Sequence, residues 1–207
     1  DLETQQIAFL GTAREGAANK QGESTPVALA IRLKIVNGLI TEAEQLVVRP
    51  ESNAPSAGGM SFPSTAVAIE KMGAPHAVYQ AVIPESERPS REEMIKTANY
   101  YFSGMQKNDG KGVDGTGTYP FTDDCERYEN GGRATNVPLA PGQVMPDPRT
   151  STVYSSAWSA KQQFESGLIH FVTRIRDRRF VAVDQERGIV FSFCFFDHSA
   201  GKSHYFK

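Results

Sequence analysis

The stretch VALAIRLKIVNGLITEAEQLVVR, residues 27–49, decides how the N-terminal part of this chain folds. Ile31, Leu33 and Ile35 alternate with Arg32 and Lys34, the period of two that half-buries a strand. Asn37-Gly38 follows, and both positions tolerate the positive φ that a tight two-residue hairpin turn demands. The chain then returns through a second strand that ends in Leu46-Val47-Val48. Upstream, residues 5–13 (QQIAFLGTA) read as a further short strand.

Towards the other end, residues 171–198 (FVTRIRDRRFVAVDQERGIVFSFCFFDH) read as a second hairpin turned by DQERG. Phe191, Phe193 and Phe195 alternate with Ser192, Cys194 and Phe196, so both faces of this last strand are expected to be partly covered. Between the hairpins the pattern is helical. Ser90 with Glu93 makes a capping box, and Met94, Ala98, Tyr101, Phe102 and Met105 recur at helical spacing. That helix is expected to stop near Asn108-Asp109-Gly110. A short helix is predicted at 64–72 and another over 157–170, with Trp158 near its start. Residues 132–156 hold Pro, Ser and Thr without periodicity and read as a long surface loop.

Strands from both ends and helices from the middle predict an α+β fold: one strongly curved mixed sheet packed on helices, forming a cone with a central pocket. Residues 1–50 are the expected strand and hairpin segment. They either end a cone domain or complete the sheet of the second part. Residues 51–89 read as a linker with a short helix, and residues 90–207 as the main cone domain.

The 207 residues suffice for one good core or two small ones. A net charge of −2 gives no global pull towards nucleic acid or an anionic membrane. No apolar run approaches the ~20 residues that span a bilayer. Cys125 and Cys194 fit either two buried thiols or a cross-sheet pair, and the absence of Cys-x-x-Cys argues against a zinc ribbon. The start at Asp1, without a charged-then-apolar leader, reads as a processed chain or a fragment. The compartment is left open, with a secreted or periplasmic setting favoured. Arg174, Arg176 and Arg178 form a stripe at strand spacing. Without a basic domain around it, the stripe reads as a solvated sheet face or an interface rather than a nucleic-acid surface.

Several segments resemble a family with a nuclear transport factor 2-like, or polyketide-cyclase (SnoaL)-like, fold. They are residues 90–93 (SREE), 98–102 (ANYYF), 121–131 (FTDDCERYENG), 174–180 (RIRDRRF), 183–188 (VDQERG) and 195–198 (FFDH). Residues 27–49 resemble the final hairpin of such a domain. Elements expected before residue 5 and after His198 are missing, so the chain reads as a fragment or permuted form of a tandem member. The resemblance implies a cone with a pocket in its mouth, in a superfamily that holds isomerases, dehydratases, cyclases, hydrolases and non-catalytic binding proteins. Fold alone therefore leaves function open.

The chemistry concentrates in residues 123–130. On a strand, Asp124, Glu126 and Tyr128 would face one way and Asp123, Cys125, Arg127 and Glu129 the other. A carboxylate in an apolar cone has its pKa raised by desolvation and can transfer protons near neutral pH. The plainer reading is an exposed strand end held by salt bridges. Asp197-His198, closing an aromatic strand, forms the second candidate, against the plainer reading of a turn. The expected roles are Asp124 and His198 as proton-transfer groups. Arg127, Glu129 and Asn130 would position the substrate, Tyr128 and Trp158 supply wall, and His170 and Asp197 complete the set. No metal or cofactor is expected. The resulting function is a cofactor-independent enzyme using acid–base chemistry on a small organic molecule. The alternative is a non-catalytic small-ligand-binding module, or one that forms a homodimer through its sheet.

Overall fold

The computed structural model describes residues 1–16, 24–49, 65–106, 119–129, 131–169 and 171–198. Asn130, His170 and the glycine-rich segment 110–117 lie outside the described residues. The chain is a mixed α+β protein. Three helices are found among the described residues: α1 (Thr65–Lys71), α2 (Arg91–Met105) and α3 (Ala160–Glu165). The strands form one three-stranded sheet, β1 (Gln6–Glu15), β2 (Thr25–Val36) and β3 (Leu39–Val48), and two two-stranded ribbons. These ribbons pair β4 (Tyr128–Glu129) with β5 (Gly132–Arg133), and β6 (Val172–Asp184) with β7 (Ile189–His198).

The chain divides into two compact units. One comprises Asp1–Pro89, Glu129–Gly132 and Val181–Phe191; the other comprises Ser90–Tyr128, Arg133–Phe180 and Ser192–Lys207.

In the first unit, Asn37 and Gly38 take φ of 52° and 76°, the left-handed pair that turns β2 into β3. The register sets Arg32 opposite Ala8 on one side and Glu44 on the other. Its guanidinium donates to Glu42 at 2.8 Å, Glu44 at 3.2 Å and Gln6 at 2.9 Å, so one sheet face carries an ionic ladder. Ile7, Phe9, Ile31 and Leu33 lie on the opposite face. The β4–β5 turn packs close on α1: a Cβ added at Gly131 would lie 2.9 Å from the Ile69 backbone nitrogen. The hairpin tip is tied to the start of the chain, where the Val183 N–H donates to the Asp1 carboxylate at 2.9 Å.

In the second unit, α2 begins as its sequence dictates. The Ser90 hydroxyl accepts from the Glu93 N–H at 3.2 Å, and the Glu93 carboxylate accepts from the Ser90 N–H at 2.9 Å. Its apolar face delivers Phe102 and Met105 to a core shared with Tyr119, Phe164, Ile169, Val172 and Ile175. Phe164 is wholly buried, with the rings of Phe121, Tyr119 and Tyr101 at 5.0, 5.3 and 5.6 Å. The α3 helix has its own capping box, Ser159 with Gln162. It is shorter than the predicted span over 157–170, because Gly167 turns left-handed (φ 73°) immediately after the last turn. Both cysteines are free.

The β6 strand breaks the alternation expected of it. Ile175 and Phe180 both face the aromatic core although five residues separate them, a spacing that puts side chains of a regular strand on opposite faces. The extra residue is accommodated at Asp177, whose φ is 51°. The ribbon's stacking shows the same offset: Arg176 lies over the Phe195 ring and Arg179 over Phe193, three residues along β6 against two along β7.

Candidate functional site

The acidic stretch 123–129 is coil up to Tyr128 instead of the expected alternating strand. Long-range bonds replace the sheet. The fully buried Thr135 hydroxyl accepts from the Arg127 N–H at 2.7 Å and donates to the Cys125 carbonyl at 3.1 Å. The Arg127 guanidinium donates to the Tyr154 hydroxyl and, at 2.9 Å, to the Gln163 side-chain oxygen; Tyr154 donates to that same oxygen. Gln163, wholly buried, returns its amide protons to the carbonyls of Ala134 (2.6 Å) and Ser155 (3.0 Å). Arg127 thus ties a loop to α3. Glu126 pairs with Arg133 at 2.8 Å and accepts from the Tyr128 hydroxyl at 2.9 Å. Glu129 is half-buried, and Asp124 is exposed. Burial raises the Cys125 thiol above its ordinary value, with Asp124 adding to the shift and Arg127 opposing it.

Trp158 is wholly buried, and its indole N–H donates to the Pro146 carbonyl at 2.7 Å. It is packed as core. His198 is exposed at the end of β7, with its ring edge-on to Phe171 at 5.4 Å. Asp197 turns towards β6: its carboxylate accepts from Arg176 Nε at 3.1 Å, and its carbonyl accepts from the Thr173 hydroxyl at 3.0 Å. No hydrogen bond joins Asp124 to His198 among the described residues. Nor does any group of three or more His, Cys, Asp or Glu there have the arrangement to hold a metal ion.

A concave surface lies along the bulged part of β6 and the end of α2. An open concavity of about 540 Å³ is lined by Gln106, Thr173, Arg174, Arg176 and Arg178 around the bulge residue Asp177. Arg178 is its best-held member. Its Nη1 donates to Asn99 and to Ser103, each at 2.9 Å, its Nη2 to the Gln106 side-chain oxygen at 3.2 Å, and its Nε to the Ile175 carbonyl at 3.0 Å. Asn99, Ser103 and Gln106 recur at helical spacing, so one face of α2 supplies the cradle. Every acceptor is neutral. Burial pulls the guanidinium down from its ordinary value, and Cys194 acts weakly against that. Gln106 also accepts from the Ile175 N–H at 2.6 Å, which fixes its orientation. Arg176 is held between Asp197 and Asp177 and lies 4.8 Å above the Phe195 ring. Arg174 is exposed and makes no ion pair among the described residues.

The stripe of arginines at 174, 176 and 178 carried the local signal for this surface, read from sequence as a solvated sheet face or an interface. What sequence spacing did not disclose was the bulge and the cradle, because Asn99 and Arg178 lie 79 residues apart.

Residues 87–207 match the family model described as a domain of unknown function, DUF8021. No curated protein and no solved structure matches the chain. Among the described residues no helix is long and apolar enough to cross a membrane.

Proposed function

The chain belongs to the DUF8021 family, and from that premise we propose that it is a small-molecule-binding domain, with a nuclear transport factor 2-like cone as its architecture. The observation that carries the reading is the concavity on β6, about 540 Å³ and lined by oriented polar side chains. That volume suits a ligand of metabolite size. Preorganisation supports it further: Arg178 and Gln106 are fixed by hydrogen bonds before any ligand arrives. The cone draws support from the bulge at Asp177, since a bulge bends and twists its strand.

Acid–base catalysis is the second reading, and one observation favours it. Asp197 bonds two residues that line the concavity, Thr173 and Arg176, which brings the end of β7 to its border, and His198 is the next residue on that strand. In this reading His198 transfers the proton, with Asp124 as the second group.

A ligand screen by thermal shift and protein-observed NMR on the intact chain tests the binding reading. Hits whose chemical-shift changes map to residues 173–178 and Gln106 are expected. A broad metabolite library that yields no hit, or hits that map only elsewhere, overturns it. Turnover of a bound compound that survives in the His198→Ala variant would remove His198 from the catalytic reading, and a bound compound that is not turned over at all would leave binding alone in place.

A further inference from the structure

Arg178 is a half-buried cation whose hydrogen-bond partners are all neutral. A protein that holds a guanidinium so firmly, yet gives it no carboxylate among the described residues, leaves its charge available to something else. Four of its five N–H groups are engaged, and the last belongs to Nη2, bonded to the concavity-lining Gln106. Arg174 lines the same concavity without an ion-pair partner among the described residues. Arg176 is different, since Asp177 and Asp197 already balance it. The surface therefore carries excess positive charge at Arg174 and Arg178, with two carboxylates close by.

We propose that the concavity beside the Asp177 bulge is an oxyanion site for small organic acids, with one ligand carboxylate accepting the remaining Nη2 proton of Arg178 and the exposed Arg174 adding to the local positive charge. This rests on the binding reading above and names its ligand class. One feature selects a monocarboxylate over a phosphate: the carboxylates of Asp177 and Asp197 repel a second negative charge. The bulge has a definite part in this. It takes Arg178 out of simple strand alternation and sets it against α2, where Asn99 and Ser103 hold it.

The test is an NMR titration of the intact chain with benzoate and 3-phenylpropionate, with benzamide and 3-phenylpropanamide as uncharged counterparts and inorganic phosphate as the rival anion. The acids are expected to bind roughly tenfold or more tightly than their amides and to weaken as NaCl rises. Arg178→Gln should weaken the acids about tenfold to a hundredfold. Since that change also disturbs α2, Arg174→Gln is the cleaner variant: binding should fall while the thermal midpoint stays put. Amides that bind as tightly as acids would overturn the inference and leave the binding reading standing. Phosphate that outcompetes both acids would overturn the assignment to organic acids. Binding of neutral library compounds but of neither acid would sink this inference alone, whereas silence from acids and library together would sink both.

Discussion

Gln163 and Arg127 are joined at 2.9 Å, amide oxygen to guanidinium, and Gln163 is wholly buried. Its oxygen also accepts from the Tyr154 hydroxyl and its amide satisfies the carbonyls of Ala134 and Ser155, so one side chain serves four partners across the second unit. Replacing it with Leu keeps the volume and strands a partly buried cation and two carbonyls. Gln163→Leu should cost about 2–4 kcal/mol, read from the midpoint of urea unfolding.

Gly131 and Gly73 both take left-handed φ, 79° and 72°, but only Gly131 faces backbone at close range. Gly73→Ala should cost about 1–2 kcal/mol from conformation alone. Gly131→Ala meets the Ile69 nitrogen as well, because its Cβ would lie 2.9 Å away. It should cost at least 1 kcal/mol more than Gly73→Ala, on the order of an overpacked site. Thermal unfolding of the two variants side by side checks the difference.

The left-handed Asp177 predicts an ordered series. Asp177→Asn and Asp177→Gly should stay near the parent in stability, since Asn and Gly accept this conformation. Asp177→Val should lose about 1–2 kcal/mol because a β-branched side chain does not. Equal losses across the three variants would point to the Arg176–Asp177 pair instead of the backbone.

Trp158 is the single tryptophan. Its burial predicts blue-shifted emission and little quenching by iodide in the native state. Strong quenching would place the indole at a surface. Trp158→Phe leaves the Pro146 carbonyl without its donor and should destabilise by about 1–3 kcal/mol.

Glu93 is held below the ordinary glutamate value of 4.5, first by the Ser90 N–H and then by the Ser90 hydroxyl. A depressed folded-state pKa means that the carboxylate's contribution is complete above the unfolded value and disappears as pH falls through the folded one. The stability gap between the parent and Glu93→Gln should therefore be full near pH 6, begin to shrink below about 4.5 and close in stronger acid. A gap independent of pH between 6 and 3 would rule the mechanism out.

Local signals made part of this fold legible in the sequence. Asn37-Gly38 and the Ser90–Glu93 box act within a few residues, and the hairpin and α2 stand where those motifs put them. Ser159–Gln162 was an equally readable start for α3, but nothing apolar in the pattern announced that Gly167 would end it so early. The bulge was hidden for another reason: it exists because Ile175 and Phe180 must reach one aromatic cluster, a demand set by residues far along the chain. The same holds for residues 123–127. Their alternation suggested a strand, whereas Thr135, Tyr154 and Gln163 bind them as coil. Among the site residues, Asp197 stands at the concavity's border, Asp124 is exposed in the acidic coil, and Arg178 entered only through its partners on α2. Asn130 and His170 fall outside the described residues.

The Arg32 ladder has a consequence for how the first sheet assembles. Slide β3 by one position and Glu42 and Glu44 leave the guanidinium's side, while Ala43 and Gln45 take their place. Arg32 would then be a half-covered charge with no neutraliser beside it. A mistaken pairing therefore forfeits the ladder's charge pairing, and the ribbon selects its own alignment.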